Sequence, residues 1–278
     1  MPNAEYHSDK GISNSNLNAA SKSGRHFWDQ KFGPPRASTH AFDFGTAAHA
    51  LILPGEDIND VAVRMPEGMK KTTKEGKAFV AEHAGKILLN ESDAYALDQM
   101  VESVNSHGFA RGLLTGELKG KSEQSYFATD SDTGLRIKAR PDFITTSEGS
   151  NLIIDLKTTT DASPKGFQKS MASFSYYKQA AWYLDVVELA SGNRPDAFLF
   201  VCIEKQRPFN CAVYMADEEM LELGRKHAYE DLFKIHEWIR SGIYPGYSTQ
   251  VEMISLPKWM LPKEDGTPDA DHQPIELY

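Results

Sequence analysis

Two aspartates and a lysine stand at a spacing that could do chemistry. Arg140-Pro141-Asp142 is followed, thirteen residues beyond that aspartate, by Asp155-Leu156-Lys157. On a β-strand successive side chains alternate faces, so Asp155 and Lys157 project together while Leu156 turns towards a core. If the apolar runs on either side of the polar turn at 145–151 pair as an antiparallel hairpin, Asp142 arrives beside Asp155 and the two could share one cation. Carboxylate oxygens hold a hard cation, and a neighbouring ammonium can fix or polarise a water molecule. Together these are the requirements of metal-assisted phosphodiester hydrolysis. Asp-x-Lys alone is usually a solvated ion pair, so the reading leans on Pro141-Asp142 and on what the rest of the chain supplies.

Other residues could serve such a site. Gly45 and His49 lie four apart in an apolar stretch, hence on one helix face; a lone histidine there is ordinarily a hydrogen-bonded core residue. Gln179 and Tyr183 share a face in the same way. Glu123 either supports the site from a neighbouring strand or merely ends that strand. Arg36 sits on the stiff loop Gly33-Pro34-Pro35 and is either a surface charge or an anchor for a phosphate. Lys70, Lys71, Lys74 and Lys77 form a basic cluster. Arg111, Lys119, Lys121, Arg136, Lys138 and Arg140 surround the central strands. Such clusters are commonly solvated faces, but phosphate contacts depend on the local field rather than the net charge.

The elements that must position these residues follow from periodicity. The runs Leu135–Ile144 and Leu152–Lys157 predict the hairpin, and Glu123–Thr129 adds a third strand to make a meander. Ala197–Glu204 and Asn210–Met215 predict two more strands. A four-residue turn at Lys205–Pro208 would pair Glu204 with Phe209 and set Cys202 opposite Cys211. Helices are predicted from Ile12 to Ser23 with Ser13 as N-cap, from Phe42 to Leu53 with Phe42 and Phe44 buried, and over Thr73–Leu89 and Ser92–His107. Pro164–Met171, Ser173–Leu189 and Asp217–Ser241 complete the set. Strands split by a crossover helix imply an α/β (α+β) fold, a central mixed five-stranded sheet flanked by helices with an N-terminal helical extension. We expect one domain over 1–256. Its helical N-terminal region, residues 1–110, carries His49, and its core spans 111–256; an extended tail follows at 257–278.

Composition narrows the classes. The chain has 278 residues, 40% hydrophobic, enough to bury a large core. It has no apolar run long enough for a membrane span and no apolar leader after Met1, so the cytoplasm is the default compartment. With only Cys202 and Cys211, a disulfide framework and a four-cysteine metal or iron–sulfur site are excluded. The net charge of −9 is unusual for a nucleic-acid enzyme, but the acid is local. Asp217, Glu218, Glu219 and Glu222 suit the positive end of a helix, and much of the remainder lies in the tail.

In order along the chain, these motifs resemble the PD-(D/E)xK nuclease superfamily, in its RecB-like branch, and most of all RecE-type exonucleases (exonuclease VIII). The resemblance runs from about Tyr6 to Tyr247. It is carried by Tyr6-His7 through Leu17, Gly45-Thr46-Ala47-Ala48-His49, Arg140-Pro141-Asp142, Asp155-Leu156-Lys157-Thr158-Thr159 and Gln179-Ala180-Ala181-Trp182-Tyr183. It implies that His49, Asp142, Asp155 and the Leu156 carbonyl are metal ligands, that Lys157 is the catalytic lysine, and that Gln179 and Tyr183 position DNA or that lysine. Oxygen-dominated ligation suits Mg²⁺ or Mn²⁺. Arg36, Lys70, Lys71, Lys74, Lys138 and Arg140 are candidates for DNA phosphates. The implied activity is exonucleolytic digestion of linear double-stranded DNA, 5′ to 3′, leaving a 3′ strand for a RecT-like annealing partner, by a ring-shaped homotetramer. The alternatives are a RecB-like single-strand or structure-selective nuclease, and a non-catalytic DNA-binding subunit on the same fold.

Overall fold

The structure, a computed structural model, describes residues 3–35, 37–114 and 120–257. Arg36, Lys119 and the tail at 258–278 lie outside the described residues.

Four helices lead the chain: α1 (Asn3–Ser8), α2 (Asn14–Ala20), α3 (Gly24–Phe32) and α4 (His40–Ile52). Ser23 and Thr39 cap α3 and α4 by accepting from the backbone N–H of His26 and Phe42. A short turn, α5 (Ile58–Val61), leads to β1 (Ala62–Arg64), then α6 (Lys74–Glu82), β2 (Ile87–Leu89), α7 (Glu91–Ser106) and α8 (Gly108–Leu114). The expected helix over Thr73–Leu89 is therefore two elements. Gly85 takes φ +89, a left-handed turn that ends the helical path. The aliphatic Ile87-Leu88-Leu89 then pairs in parallel with β1.

The central strands correct the expected meander. Leu135–Ile144 is not one strand but two: β5 (Arg136–Ala139) and β6 (Phe143–Ser147). Pro141 has no N–H to give a ladder, and the chain changes sheets there. β5 pairs with β4 (Tyr126–Thr129) in a separate two-stranded ribbon, whose other edge is met by Ile12. The place beside β6 goes instead to β3 (Gly120–Ser122). Glu123 follows β3 with φ +50, outside any strand. With β7 (Ser150–Thr159), β8 (Ala197–Glu204) and β9 (Cys211–Met215), the main sheet runs β3-β6-β7-β8-β9. It is mixed and five-stranded, as expected. β7 and β8 are parallel and the other pairs antiparallel. A parallel pair requires a crossover, which α9 (Pro164–Phe174) and α10 (Tyr176–Ser191) provide; α11 (Glu218–Ser241) closes the fold.

The alternation of β7 sorts the layers. Ile154 and Leu156 face a core built with Ala47 and Ala48 of α4, Leu97 and Met100 of α7, and Leu113 of α8. Ile153 faces the opposite core, with Phe167 of α9 and Ala180, Ala181 and Leu184 of α10. A third cluster joins β5 to α2, α3, α10 and α11 around Trp182. There Lys178 and Asp231, both almost wholly buried, form an ion pair at 2.7 Å that Ser21 also joins. Among the described residues no helix is long and apolar enough to cross a membrane.

The cysteine expectation fails by one residue. Glu204 pairs with Asn210, so the loop holds five residues rather than four. The register therefore sets Cys202 opposite Ala212, and Cys211 opposite Ile203. A one-residue slip turns a side chain to the other face. Cys202 lies in the α10-side core and Cys211 packs against the α4-side core.

Candidate active site

The break between β5 and β6 is also the hinge of the site. Where Pro141 interrupts the ladder, the Asp142 side chain replaces a backbone acceptor. Its Oδ2 takes the N–H of Leu156 at 2.7 Å, and its carbonyl takes the N–H of Glu123 at 3.0 Å. Asp142 is thereby tied to the middle of β7 and to the end of β3. From α4, His49 reaches the same strand: the Leu156 carbonyl accepts from Nε2 at 3.0 Å, and Nδ1 lies 3.6 Å from Asp142 Oδ2. Among the described residues, ligand atoms of His49, Glu123 and Asp142 all lie within 4.8 Å of one another.

These donors fit a hard divalent cation. One imidazole, two carboxylates and a carbonyl form the oxygen-rich set such an ion takes, and an octahedral ion with bonds of ~2.1 Å holds adjacent ligands about 3 Å apart. The His49–Leu156 separation of 3.0 Å meets that spacing. Glu123 reports the need for positive charge. Burial, and then the Asp142 carboxylate, push its pKa up to about 7 from 4.5, against the opposing pull of His49 and Arg140. Glu123 thus stands just past the end of β3, beside His49 and Asp142.

On the other face of β7, Lys157 and Asp155 project together, as expected from strand alternation. Their ion pair is 2.6 Å long. Gln179 on α10 bridges them, its Oε1 accepting from Lys157 at 2.9 Å and its Nε2 donating to Asp155 Oδ1 at 3.0 Å. Asp155 is fully buried. Burial raises its pKa, and Lys157 opposes that rise. For Lys157 burial favours the neutral amine, but Asp155 and Asp142 outweigh it and hold the ammonium charged. Asp155 Oδ1 thus accepts from Gln179, while Oδ2 lies at ion-pair distance from Lys157 but accepts no hydrogen bond among the described residues; Glu123 completes the three-residue group with His49 and Asp142.

Tyr176 joins the site without having been singled out by the motifs. Its ring lies 4.4 Å from Lys157 Nζ, a cation–π contact that covers the ammonium. Tyr176, Gln179 and Tyr183 recur at helical spacing on α10, a signal that could have found it. Tyr183 lines the same cleft as Asp142, and burial raises its phenol well above the usual range. Tyr6 is also at the site: Arg140 and Lys138 lie over its ring at 4.6 and 4.5 Å. No local spacing announces that contact, because it joins α1 to a strand far along the chain.

The basic candidates divide. Arg140 lines the main cleft, where Nε donates to Ser125 at 3.0 Å and lies 3.8 Å from Glu123. Lys138 is a correction. It is buried, and Nζ donates to the carbonyls of Tyr6 and Asp9 at 2.6 and 3.0 Å. Its place facing α1 makes it a clamp on the N-terminal segment rather than a phosphate contact, and burial lowers its pKa. Lys70, Lys71 and Lys74 are exposed but do not line the cleft; Lys71 borders a smaller one with His40 and Asp93. Lys121 does line the main cleft, which has a volume of about 1210 Å³.

A mixed sheet with Pro-Asp leading into one strand and Asp-x-Lys riding the next, beside a histidine-bearing helix, defines the PD-(D/E)xK class of fold. Residues 13–257 match the PDDEXK-like domain of unknown function (DUF3799), and the chain belongs to that family. Among solved structures it is similar to a provisionally named exonuclease from Eubacterium rectale, with 12% identity, 92% of each chain covered and a TM-score of 0.59. That likeness is one of fold. Weaker similarity extends to an alkaline exonuclease from Laribacter hongkongensis (12% identity, 72% of this chain and 96% of that one, TM-score 0.29). A phage-related exonuclease from Haemophilus somnus gives 12% identity, 72% and 94% coverage and a TM-score of 0.33. No curated protein matches.

Proposed function

We propose that this protein is a divalent-cation-dependent exodeoxyribonuclease. The observation that carries the reading is the joining, through one strand, of a cation-fitting group and a charged, held lysine. The group is His49, Glu123 and Asp142; the lysine is Lys157. A structural scaffold has no need of both. His49, Glu123, Asp142 and the Leu156 carbonyl would hold Mg²⁺ or Mn²⁺, with Asp155 adjoining them as a further ligand. When bound, such a cation supplies Lewis-acid polarisation of a phosphodiester and of water. Lys157 orients the attacking water and offsets charge developing on the phosphate oxygens. Gln179 and Tyr176 fix the ammonium, and Asp155 sets its direction. Arg140 and Lys121 meet phosphates within the cleft. Lys70, Lys71 and Lys74 would meet phosphates of a duplex lying across α4, and Arg36 is proposed as a further phosphate anchor.

A substrate with free ends is favoured by the exonuclease name of the Eubacterium rectale protein. Its being double-stranded DNA, the 5′ to 3′ direction and the 3′ overhang for recombination rest on the resemblance to RecE-type exonucleases. So do the RecT-like partner, the four-subunit ring and a cytoplasmic location. The domain division at 256 is likewise proposed, the family match ending at 257. The test is digestion of end-labelled linear duplex against covalently closed circles, with and without Mg²⁺. The expected result is loss of the linear substrate alone, only with the cation, and by mononucleotide release. Cutting of closed circles would overturn the exonuclease, and no cutting by freshly purified protein in Mg²⁺ or Mn²⁺ would overturn the enzyme.

A further inference from the structure

Apolar patterning puts Phe42 in the core, and the structure puts it in the open. It is 67% exposed, while Phe44, two residues on, is 6% exposed and buried against α7 and the sheet. Phe42 lines the same cleft as His49, on the same face of α4. The positions between them on that face are Gly45 and Thr46. A Cβ added at Gly45 would meet nothing within 4 Å, so the helix surface at that position is open to the cleft. The cleft is therefore two-sided. α4 brings an exposed aromatic ring to the cleft, and the segments 121–125 and 140–142 bring Lys121, Ser122, Gln124, Ser125 and Arg140 together with the carboxylates Glu123 and Asp142.

That asymmetry is the asymmetry of a nucleic acid strand, which has a flat apolar face on each base and a charged backbone. Aromatic rings stack on any base and discriminate little among them, while cationic and hydroxyl groups track the phosphates. A duplex buries its base faces, so a ring in the cleft can use only an unpaired base or the last pair of an end. We propose that Phe42 is a stacking platform for an unpaired nucleobase of the strand led to the His49 group, so that the cleft takes a single strand separated from its complement. The inference rests on the nuclease reading above and names the form in which the substrate enters. From Phe42 to His49 the helix rises about 10 Å. That is the length of about three stacked nucleotides at 3.4 Å each, and fewer in an extended strand. The base on the ring is therefore within the first few nucleotides of the scissile phosphate.

The test uses the full chain in Ca²⁺, with fluorescein-labelled oligonucleotides and, in parallel, digestion of linear duplex in Mg²⁺. The oligonucleotides are an intact single strand and four versions carrying one abasic site at successive positions from the end. For the parent, one abasic position should weaken binding by about fivefold to a hundredfold, the scale of one base stacked on an aromatic ring. Phe42→Ala should lose a similar factor on the intact strand and become indifferent to that abasic site, with an unchanged melting temperature. Phe42→Trp should restore both affinity and abasic sensitivity. If Phe42→Ala binds the intact strand as tightly as the parent, or keeps the abasic sensitivity, the stacking platform is overturned while parent digestion leaves the nuclease reading standing. If the parent neither binds nor digests DNA, both readings fall together.

Discussion

Lys157 has two supports that do not depend on a cation, the Asp155 ion pair and the Gln179 hydrogen bond. Its loss should therefore be felt in the chemical step and not in cation binding. Lys157→Ala is expected to slow single-turnover digestion of linear duplex by at least about a hundredfold, the scale of one preorganised charge. Raising Mg²⁺ should not restore it. His49→Ala should behave oppositely, shifting the Mg²⁺ needed for half-maximal rate upwards with the fold intact; a collapse in melting temperature with unchanged cation dependence would make His49 a core histidine. Glu123 gives a pH signature. Its folded pKa of about 7 lies above the free value of 4.5, so between these values the unfolded chain releases the proton first. Without divalent cations, stability should fall as pH rises from about 4.5 to 7 and then level off. Cation affinity should rise over the same window, since the cation displaces that proton. Melting temperatures in chelator at a series of pH values check this, and Glu123→Gln should reduce the slope, leaving the part that the raised Asp155 carboxyl contributes.

The helices hold the site through close approaches. Gly224 on α11 lies against α10, and a Cβ there would sit 2.3 Å from the Tyr177 carbonyl, next to the residue that covers Lys157. Gly224→Ala should force the helices apart and cost about 1–3 kcal/mol, the usual range for overpacking, read as a lower denaturant midpoint. The basic cluster belongs to a different element. If Lys70 and Lys74, before and on α6, meet phosphates, changing both to Gln should flatten the log affinity–log salt slope by about two units. An unchanged slope would return them to the solvated surface.

Much of this is legible in the sequence. Ala197–Glu204 has the same bounds in sequence and structure because a buried central strand is an unbroken apolar run closed by turn residues, and the shared face of Asp155 and Lys157 follows from strand alternation alone. What local pattern does not show is pairing. Pro141 sits between two strands of different sheets, so Leu135–Ile144 reads as one run. The loop after Glu204 is one residue longer than its turn signal, which turns the cysteines apart. Tyr6 and Lys138 escape because their partners are remote: a basic side chain meets a carbonyl or a ring only once α1 has folded back over β5. Phe42 misleads because the edge of an apolar stripe reads like its centre until the cleft beside it is known.

Taken as a single body, the protein gathers carboxylates at the site from the end of β3, the approach to β6 and the middle of β7. Neutralising them should stabilise the whole fold: Mg²⁺ at a hundred times its dissociation constant adds about 2.7 kcal/mol if the unfolded chain binds none. A melting temperature indifferent to Mg²⁺ would deny the cation site. The two thiols lie on opposite faces of the sheet, and burial raises both, Cys211 to about 11. Both should stay unreactive towards a thiol reagent until the fold opens, and then titrate together.

The link between His49 and the Leu156 carbonyl spans 107 positions of the chain, and Gln179 comes later still. During synthesis the ribosome therefore delivers the helix bearing His49 long before there is a strand for it to meet. The lysine, in turn, has no bridge to its aspartate until α10 has emerged and closed over the sheet. On the proposed reading, the groups that would hold the cation and the lysine come together only late in synthesis. An arrested or truncated chain lacking α10 would keep the Asp155–Lys157 pair on its strand but lack Gln179 and Tyr176, which fix and cover the ammonium.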